Sequence, residues 1–379
     1  MISRPAAKKA SGKLFARPIL PIVAASVAVG SGSVMPPTAI AKGNVVVQNE
    51  SEEQKLLRAK GYPYVRPDTS FLFVRGEVLQ FDNRQWRGLN HLHEIVGSCG
   101  SSATDFAAAH GMDLVRLSRE ELFWPVLAIG SNAGPEQLRR KYPLQDFPDC
   151  VIPVVQVALE DFDVVYAPYI ATYGSCTATL EHSPGTVTYI FITYLTGPLM
   201  ERMHATEGGY NLCRLLGLRL HVAPWSADGN VQRENNQMRN ADDKTCAKEG
   251  LQVAFRSFEI RDWVYQYNHK LGCIKLPFKE LGGSPVAIAA IPAERRTFPA
   301  ASQVQMLTTL MTALDKTHEG PLSPLPAFGD VCEKISSKAL DDWLLHLIKN
   351  STARSAICKR LSLHAQMFFY PNCEVIADM

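Results

Sequence analysis

The chain has 379 residues, of which 46% are hydrophobic, enough for a sizeable core and outside the disordered class. Charged residues make up 20% and the net charge is +2, so nucleic-acid binding has no basic footprint to rest on. The 9 cysteines are irregularly spaced with no C-x-x-C pair, which opposes structural zinc and fits a reduced chain better than a disulfide framework.

In chain order, residues 1–45 read as a leader. Arg4, Lys8, Lys9, Lys13 and Arg17 all precede the first acidic residue, Glu50, and the apolar run 19–29 is too short to span a membrane. Ala39-Ile40-Ala41 has the form of a cleavage site, so a removed signal and a basic disordered leader both stand. The cysteine usage makes a cytoplasmic protein the expectation and export the alternative; no stable membrane span is expected. Residues 46–120 form an N-terminal arm with a charged helix at 52–59. The aromatic pieces Tyr62-Pro63-Tyr64 and Phe71-Leu72-Phe73-Val74 follow and should pack across the main domain. On a strand, His91 and His93 would aim two imidazoles one way, as a metal pair needs, but no third ligand is evident and two surface histidines are expected. A short helix is expected at 103–110, ended by Gly111.

The main domain is expected at 121–300. Residues 126–129 read as a short buried strand, Gly130-Ser131-Asn132 as a tight loop, and Gly134-Pro135-Glu136 as a helix opening with proline at its first position. A strand, a small-residue loop and a helix N-terminus turn several N–H groups toward one point, which suits an anionic or oxyanionic group. Residues 151–158 and 164–170 read as strands separated by the acidic turn Glu160-Asp161-Phe162-Asp163, and Tyr173-Gly174-Ser175 as a structural turn. The β-branched and aromatic run 186–195 is a further strand. Thr196 then offers an N-cap hydroxyl, Gly197 and Pro198 fill the first turn, and Gly208-Gly209 stops the helix. Leu199, Met203 and Glu207 share one face of it. Glu207 is thereby an inward-facing acid where the macrodipole and desolvation both disfavour its ionised form, the condition a general acid or base near neutrality needs.

Residues 228–250 read as a polar surface loop or insertion, while 251–267 and 285–291 return to strand character, with Gly282-Gly283 as the turn before the second. Arg295 and Arg296 either reach a ligand carboxylate or stay solvated. A C-terminal helical extension is expected over 301–379, with amphipathic helices at 304–314 and 338–349; Leu340, Trp343, Leu344 and Leu347 form the buried stripe of the second. There is no G-x-S-x-G elbow, Walker A loop, G-x-G-x-x-G or H-E-x-x-H.

The loop Gly130-Ser131-Asn132, the segment Ala178-Thr179-Leu180 to Pro184-Gly185-Thr186-Val187, and the strand, short helix and Glu207 before Tyr210 occur in the order of the gamma-glutamylcyclotransferase-like family. The chain resembles that family over roughly residues 123–220. The resemblance implies an α+β fold, a mixed, strongly curved sheet or small barrel with a few helices, carrying N- and C-terminal additions. It also implies a transferase or lyase that releases 5-oxoproline from a gamma-glutamyl amine. Glu207 would be the catalytic acid/base, Gly130, Ser131 and Asn132 would hold the gamma-glutamyl group through their amides, and Tyr210 would line the substrate. No metal or organic cofactor is implied; the expected partner is a small-molecule gamma-glutamyl substrate, with no nucleic acid. The family usually has tyrosine where this chain has Ile129 and a close-approach glycine near Tyr189, which could fill substrate space. These departures favour the alternative, a non-catalytic small-molecule-binding module on the same scaffold.

Overall fold

A computed structural model of the chain describes residues 50–222, 263–277, 283–315 and 336–378. The expectations for 1–45 and 228–250, and for part of 251–267 and of the Gly282-Gly283 turn, lie outside the described residues. All of the described residues fall in one unit by their contacts.

The arm opens with helix α1 (Glu52–Lys60), started by a capping box in which the Ser51 hydroxyl accepts from the Gln54 amide and the Gln54 side chain returns the bond. Strands β1 (Ser70–Val74) and β2 (Glu77–Phe81) form a hairpin. His91 and His93 lie in a single 3₁₀ stretch, Leu89–Glu94, so strand alternation does not apply; His91 Nδ1 meets Glu94 Oε1 at 3.0 Å instead. Among the described residues no group of three or more metal-binding side chains occurs. Helices α2 (Ala103–Ala109) and α3 (Leu114–Glu120) follow, capped by Ser102 and Asp113.

Strand β3 (Trp124–Ala128) leads to a 3₁₀ turn at Ser131–Ala133 and to helix α4 (Pro135–Lys141). The two strands expected on either side of residues 160–163 are one 20-residue strand, β4 (Val151–Ile170). The acidic segment is a β-bulge, not a turn: the register shifts between Glu160 and Phe162, and Asp161 adopts φ 65°. Its partner β5 (Cys176–Leu195) is equally long, and opposite the bulge Gly185, at φ 83°, donates its N–H to Asp161 Oδ1 at 2.7 Å. Continuous pairing on both sides of the bulge holds the backbone extended where local composition reads as a turn.

Helix α5 (Gly197–Thr206) starts at Thr196, whose side chain makes no cap hydrogen bond, and ends on Glu207 as its C-cap. Strands β6 (Tyr210–Leu216), β7 (Leu220–Val222), β8 (Trp263–His269) and β9 (Cys273–Leu276) come next. The stretch expected as one strand at 285–291 contributes only the short pairings β10 (Ser284–Pro285) and β11 (Ala287–Ile288), with β12 (Ala293–Glu294) and β13 (Ala300–Ala301) beyond it. Helices Gln303–Asp315, Ser337–Lys349 and Ser351–Ser362 follow; Leu340, Leu344 and Leu347 are buried and Trp343 packs partly against the core. The C-terminal region is not purely helical. After β14 (Ala365–Gln366), strand β15 (Cys373–Asp378) pairs antiparallel with β6.

The protein is thus α+β, with a large 12-stranded mixed sheet whose main path is β13-β11-β4-β5-β3-β8-β6-β15, with β1, β2, β7 and β12 paired off that path, and a small sheet β10-β9-β14. The β3–β8 and β11–β13 pairings are parallel and the rest antiparallel. The expected strong curvature or closure into a small barrel is corrected here: among the described residues no sheet is closed or strongly curled. The sheet is buried on both faces instead. Phe71, Phe73, Val126 and Ala128 enter one apolar cluster, and the alternating residues Leu72, Val74, Leu127 and Ile129 enter another. Both faces being covered explains why these strands read as continuous apolar runs. Among the described residues no helix is long and apolar enough to cross a membrane.

Candidate functional site

A cleft of about 590 Å³ opens where the end of β3, the turn before β5, the end of α5 and the start of β6 meet. It gathers Gly130, Ser131, Asn132, Glu207 and Tyr210, all five site residues expected from sequence. The pairing of β3 with β5, Val126 opposite Thr193, and the packing of α5 onto that sheet through Leu199 and Met203 bring these separate segments together.

The loop after β3 approaches its neighbours closely. A Cβ on Gly130 would lie 2.3 Å from the Tyr62 hydroxyl and 3.3 Å from Ala178 Cβ, so glycine is required for the backbone to sit there. The loop does not open directly into a helix. Residues 131–133 form the 3₁₀ turn, in which the Ser131 carbonyl accepts from Gly134 N at 2.9 Å, and α4 starts only at Pro135. The helix thus opens at Gly134-Pro135, where the sequence expects it, with the 3₁₀ turn leading into it.

Glu207 is held differently from the sequence expectation. Its Oε1 accepts from Asn132 Nδ2 at 3.1 Å and forms a short ion pair with Lys141 Nζ. The Lys141 and Glu207 side chains are only 6% and 12% exposed. The helix end and burial that should disfavour the carboxylate are thus met by a buried cation from α4. Asn132 spends its side-chain amide on anchoring Glu207. Glu207 Oε2 takes no hydrogen bond from the described residues, so one oxygen is anchored and the other remains open to a ligand. Lys141 Nζ also points at Met203 Sδ, at 3.0 Å, a weak acceptor that leaves the ammonium only partly satisfied.

Two phenols flank this pair. The Tyr62 hydroxyl accepts from Ala178 N at 3.0 Å, and the Tyr210 hydroxyl donates to Thr177 Oγ1 at 2.8 Å, while the Tyr210 ring stands edge-on to His269. Burial pushes both phenols well above their ordinary range, with the negative charge of Glu207 adding to it, so both stay protonated. Tyr210 therefore lines the cleft with its ring while its hydroxyl is engaged within the protein. Tyr189 does not line the cleft; its hydroxyl pairs with Glu294, so it takes up no ligand space there. Arg296 is spent on the buried Asp163, at 2.8 and 3.0 Å, and Arg295 Nε on the Gly185 carbonyl at 3.0 Å; neither lines the cleft. Tyr173, from the turn read as structural, does line it, together with Ala171 and Thr172 just before that turn.

Sequence reasoning missed Lys141, Tyr62, Arg58 and Tyr267 as cleft residues. For Lys141 a signal existed: it follows Leu138 by one turn and precedes Tyr142, both buried, so it lies on the inward stripe of α4. No such signal marks Tyr62, which reaches the cleft from a different part of the chain.

Fold and site define an α+β protein with a cleft of mixed polarity built around a partly buried carboxylate paired with a lysine. No family model matches the chain, and neither a curated protein nor a solved structure matches it.

Proposed function

We propose that the chain is a gamma-glutamylcyclotransferase-like enzyme that releases 5-oxoproline from a gamma-glutamyl amine. The observation that supports this reading is the division of labour at Glu207: Oε1 is held by Asn132 and Lys141, while Oε2 takes no hydrogen bond among the described residues, and Glu207 lines the same cleft as the Gly130–Asn132 loop. Glu207 Oε2 takes a proton from the substrate α-amine as its nitrogen attacks the γ-carbonyl carbon. The new C–N bond closes the five-membered ring, the amide C–N bond breaks, and the proton returns to the departing amine. The reaction is intramolecular, so holding a folded-back substrate and moving one proton supplies most of what is needed. Loop N–H groups and the partly satisfied Lys141 ammonium are the groups placed to meet negative charge.

The test is 5-oxoproline release by wild type and Glu207→Gln on a panel of gamma-glutamyl amides. Loss of the proton carrier lowers the rate by about 10²–10⁴-fold; equal rates would move the proton work elsewhere. The second reading, a binding module without turnover, is favoured by Ile129 in place of the family's tyrosine and by Tyr62 packed against Gly130. Calorimetric binding of a gamma-glutamyl amide with no 5-oxoproline formed selects it.

A further inference from the structure

The described residues include seven cysteines, all free thiols, and two of them meet across the last strand pairing of the large sheet. In the antiparallel β6–β15 register Cys213 stands opposite Val375, and Cys373 precedes Val375 by two residues. The two thiols therefore project from one face of the sheet as diagonal neighbours. The Cys213 thiol is hydrogen-bonded to the Cys373 sulfur, and its other acceptor, the Asn211 carbonyl, lies at 3.8 Å. Cys213 is buried in the core, whereas Cys373 packs partly against it and is partly exposed. Other buried thiols are tied elsewhere: Cys176 donates to the Ala167 carbonyl at 3.3 Å, and Cys273 is hydrogen-bonded to Glu181.

Contacts on both sides of Cys373 hold this register. Leu216 N donates to the Asn372 carbonyl at 2.9 Å, and Arg214 Nε donates to Glu374 Oε2 at 2.9 Å. Among the described residues β15 is the outermost strand of the sheet path, paired on one side only, and a bulge interrupts it between Val375 and Ala377. Such a strand can shift where a central one cannot. Diagonal Cα atoms in an antiparallel pair lie about 7–8 Å apart, just beyond the roughly 4.4–6.8 Å that a disulfide spans. An S–S bond here draws β15 toward β6 and stores strain, which makes it easier to reduce than a structural disulfide. The hydrogen bond from Cys213 also holds the Cys373 thiol below its ordinary value and pushes Cys213 up. The accessible sulfur is thus the one that becomes a thiolate first.

We propose that Cys213 and Cys373 are a reversible redox pair, which a small-molecule disulfide oxidant converts into a cross-strand disulfide that staples β15 to β6. The Cys373 thiolate attacks one sulfur of the oxidant, whose S–S bond breaks and releases one thiolate. Cys213 then gives up its proton and attacks the Cys373 sulfur of the mixed disulfide, and the second oxidant thiolate leaves. The protein thiols lose two electrons, the oxidant is reduced to two thiols, and the two protons end on those thiols. The stapled strand β6 begins three residues after Glu207, so the bond fixes the sheet edge beside the cleft. It does so whatever reaction the cleft carries out.

The folded full-length protein is incubated with oxidised glutathione, blocked with N-ethylmaleimide and digested with trypsin for mass spectrometry. The expected product joins peptides 203–214 and 361–379, which carry Cys213 and Cys373. Dithiothreitol restores both thiols in the folded protein without denaturant. The oxidised protein unfolds about 5 °C above the reduced one, and that difference is lost in Cys373→Ser. If Cys373→Ser does not fold, Cys373→Ala replaces it, and the wild-type peptide map decides the linkage without any variant. The proposal is overturned by no link at any oxidant concentration, or by glutathione retained on Cys373 with no bond to Cys213. A link formed only after unfolding in urea, or a Tm difference that persists in Cys373→Ser, overturns it equally.

Discussion

At the scale of single residues, the Lys141–Glu207 pair changes how the acid must be tested. Replacing one member of a buried pair strands the other's charge, whereas replacing both with uncharged groups of similar size is often tolerated. Glu207→Gln leaves the Lys141 ammonium without its carboxylate, so this amide is expected to cost stability as well as activity. Lys141→Met and Glu207→Gln singly should each cost about 3 kcal/mol by urea denaturation, and the double variant clearly less than their sum. Additive losses would show that the two side chains do not act as a pair. A second buried acid gives a pH signature. Glu181 is buried against Gln366 Nε2 at 2.9 Å, and burial pushes its carboxyl up from 4.5 to about 7 against the opposing pull of hydrogen bonds from Cys273 and Gln366. The folded state therefore holds a proton that the unfolded state has released between those values. Stability contributed by the neutral form is full below about 4.5 and is lost as pH rises through about 7. Glu181→Gln should flatten the Tm-against-pH curve in that window and raise stability at pH 8, by at most roughly 3 kcal/mol from the size of the shift. A curve that keeps its slope in the variant would assign the dependence to another group.

At the scale of elements, the turn between β3 and α4 decides the site. Gly130 is confined by the buried Tyr62 hydroxyl at 2.3 Å from its would-be Cβ. Gly130→Ala should destabilise by about 1–3 kcal/mol through overpacking. Tyr62→Phe in the same chain should recover part of that, since it removes the clashing oxygen at the cost of the Ala178 N–H partner. Thermal unfolding of the single and double variants reads this directly; no recovery would locate the crowding at Ala178 instead. The long β4–β5 pair shows a related effect. Asp161 and Gly185 face each other across a bulge, a device that bends a hairpin without interrupting it.

At the scale of the whole molecule, the two chain ends described here serve the middle. The arm pairs β1 with β4 and delivers Tyr62 and Arg58 to the cleft, while β15 covers the β6 edge from Asn211 to Leu215. β6 begins at Tyr210, three residues after Glu207. Truncation before Cys373 should therefore expose a sheet edge beside the site, lowering Tm by several degrees. It should also increase proteolysis near residues 207–216, read by limited digestion and mass spectrometry. Unchanged digestion in that stretch would show that β15 is dispensable to it.

By itself, the sequence determined the local pieces that rest on short-range physics. The strand run before Gly130, the Gly197-Pro198 opening of α5, the buried Leu199 and Met203 on its inner face, and the Leu340-Leu344-Leu347 stripe all follow from period, proline and glycine. It also brought Gly130, Ser131, Asn132, Glu207 and Tyr210 forward as candidates, and they do share one cleft. Only the tertiary structure decided who stands beside them. The cation on Glu207, the phenol against Gly130 and Arg58 at the cleft come from α4 and the arm, segments whose local patterns read as surface helix and packing. The same holds for the bulge read as a turn, for β15 read as part of a helical extension, and for the open sheet read as curved or closed. In each case the outcome depends on pairing or burial between residues far apart in the chain, and such contacts leave no period or cap in the local sequence for a reader to find.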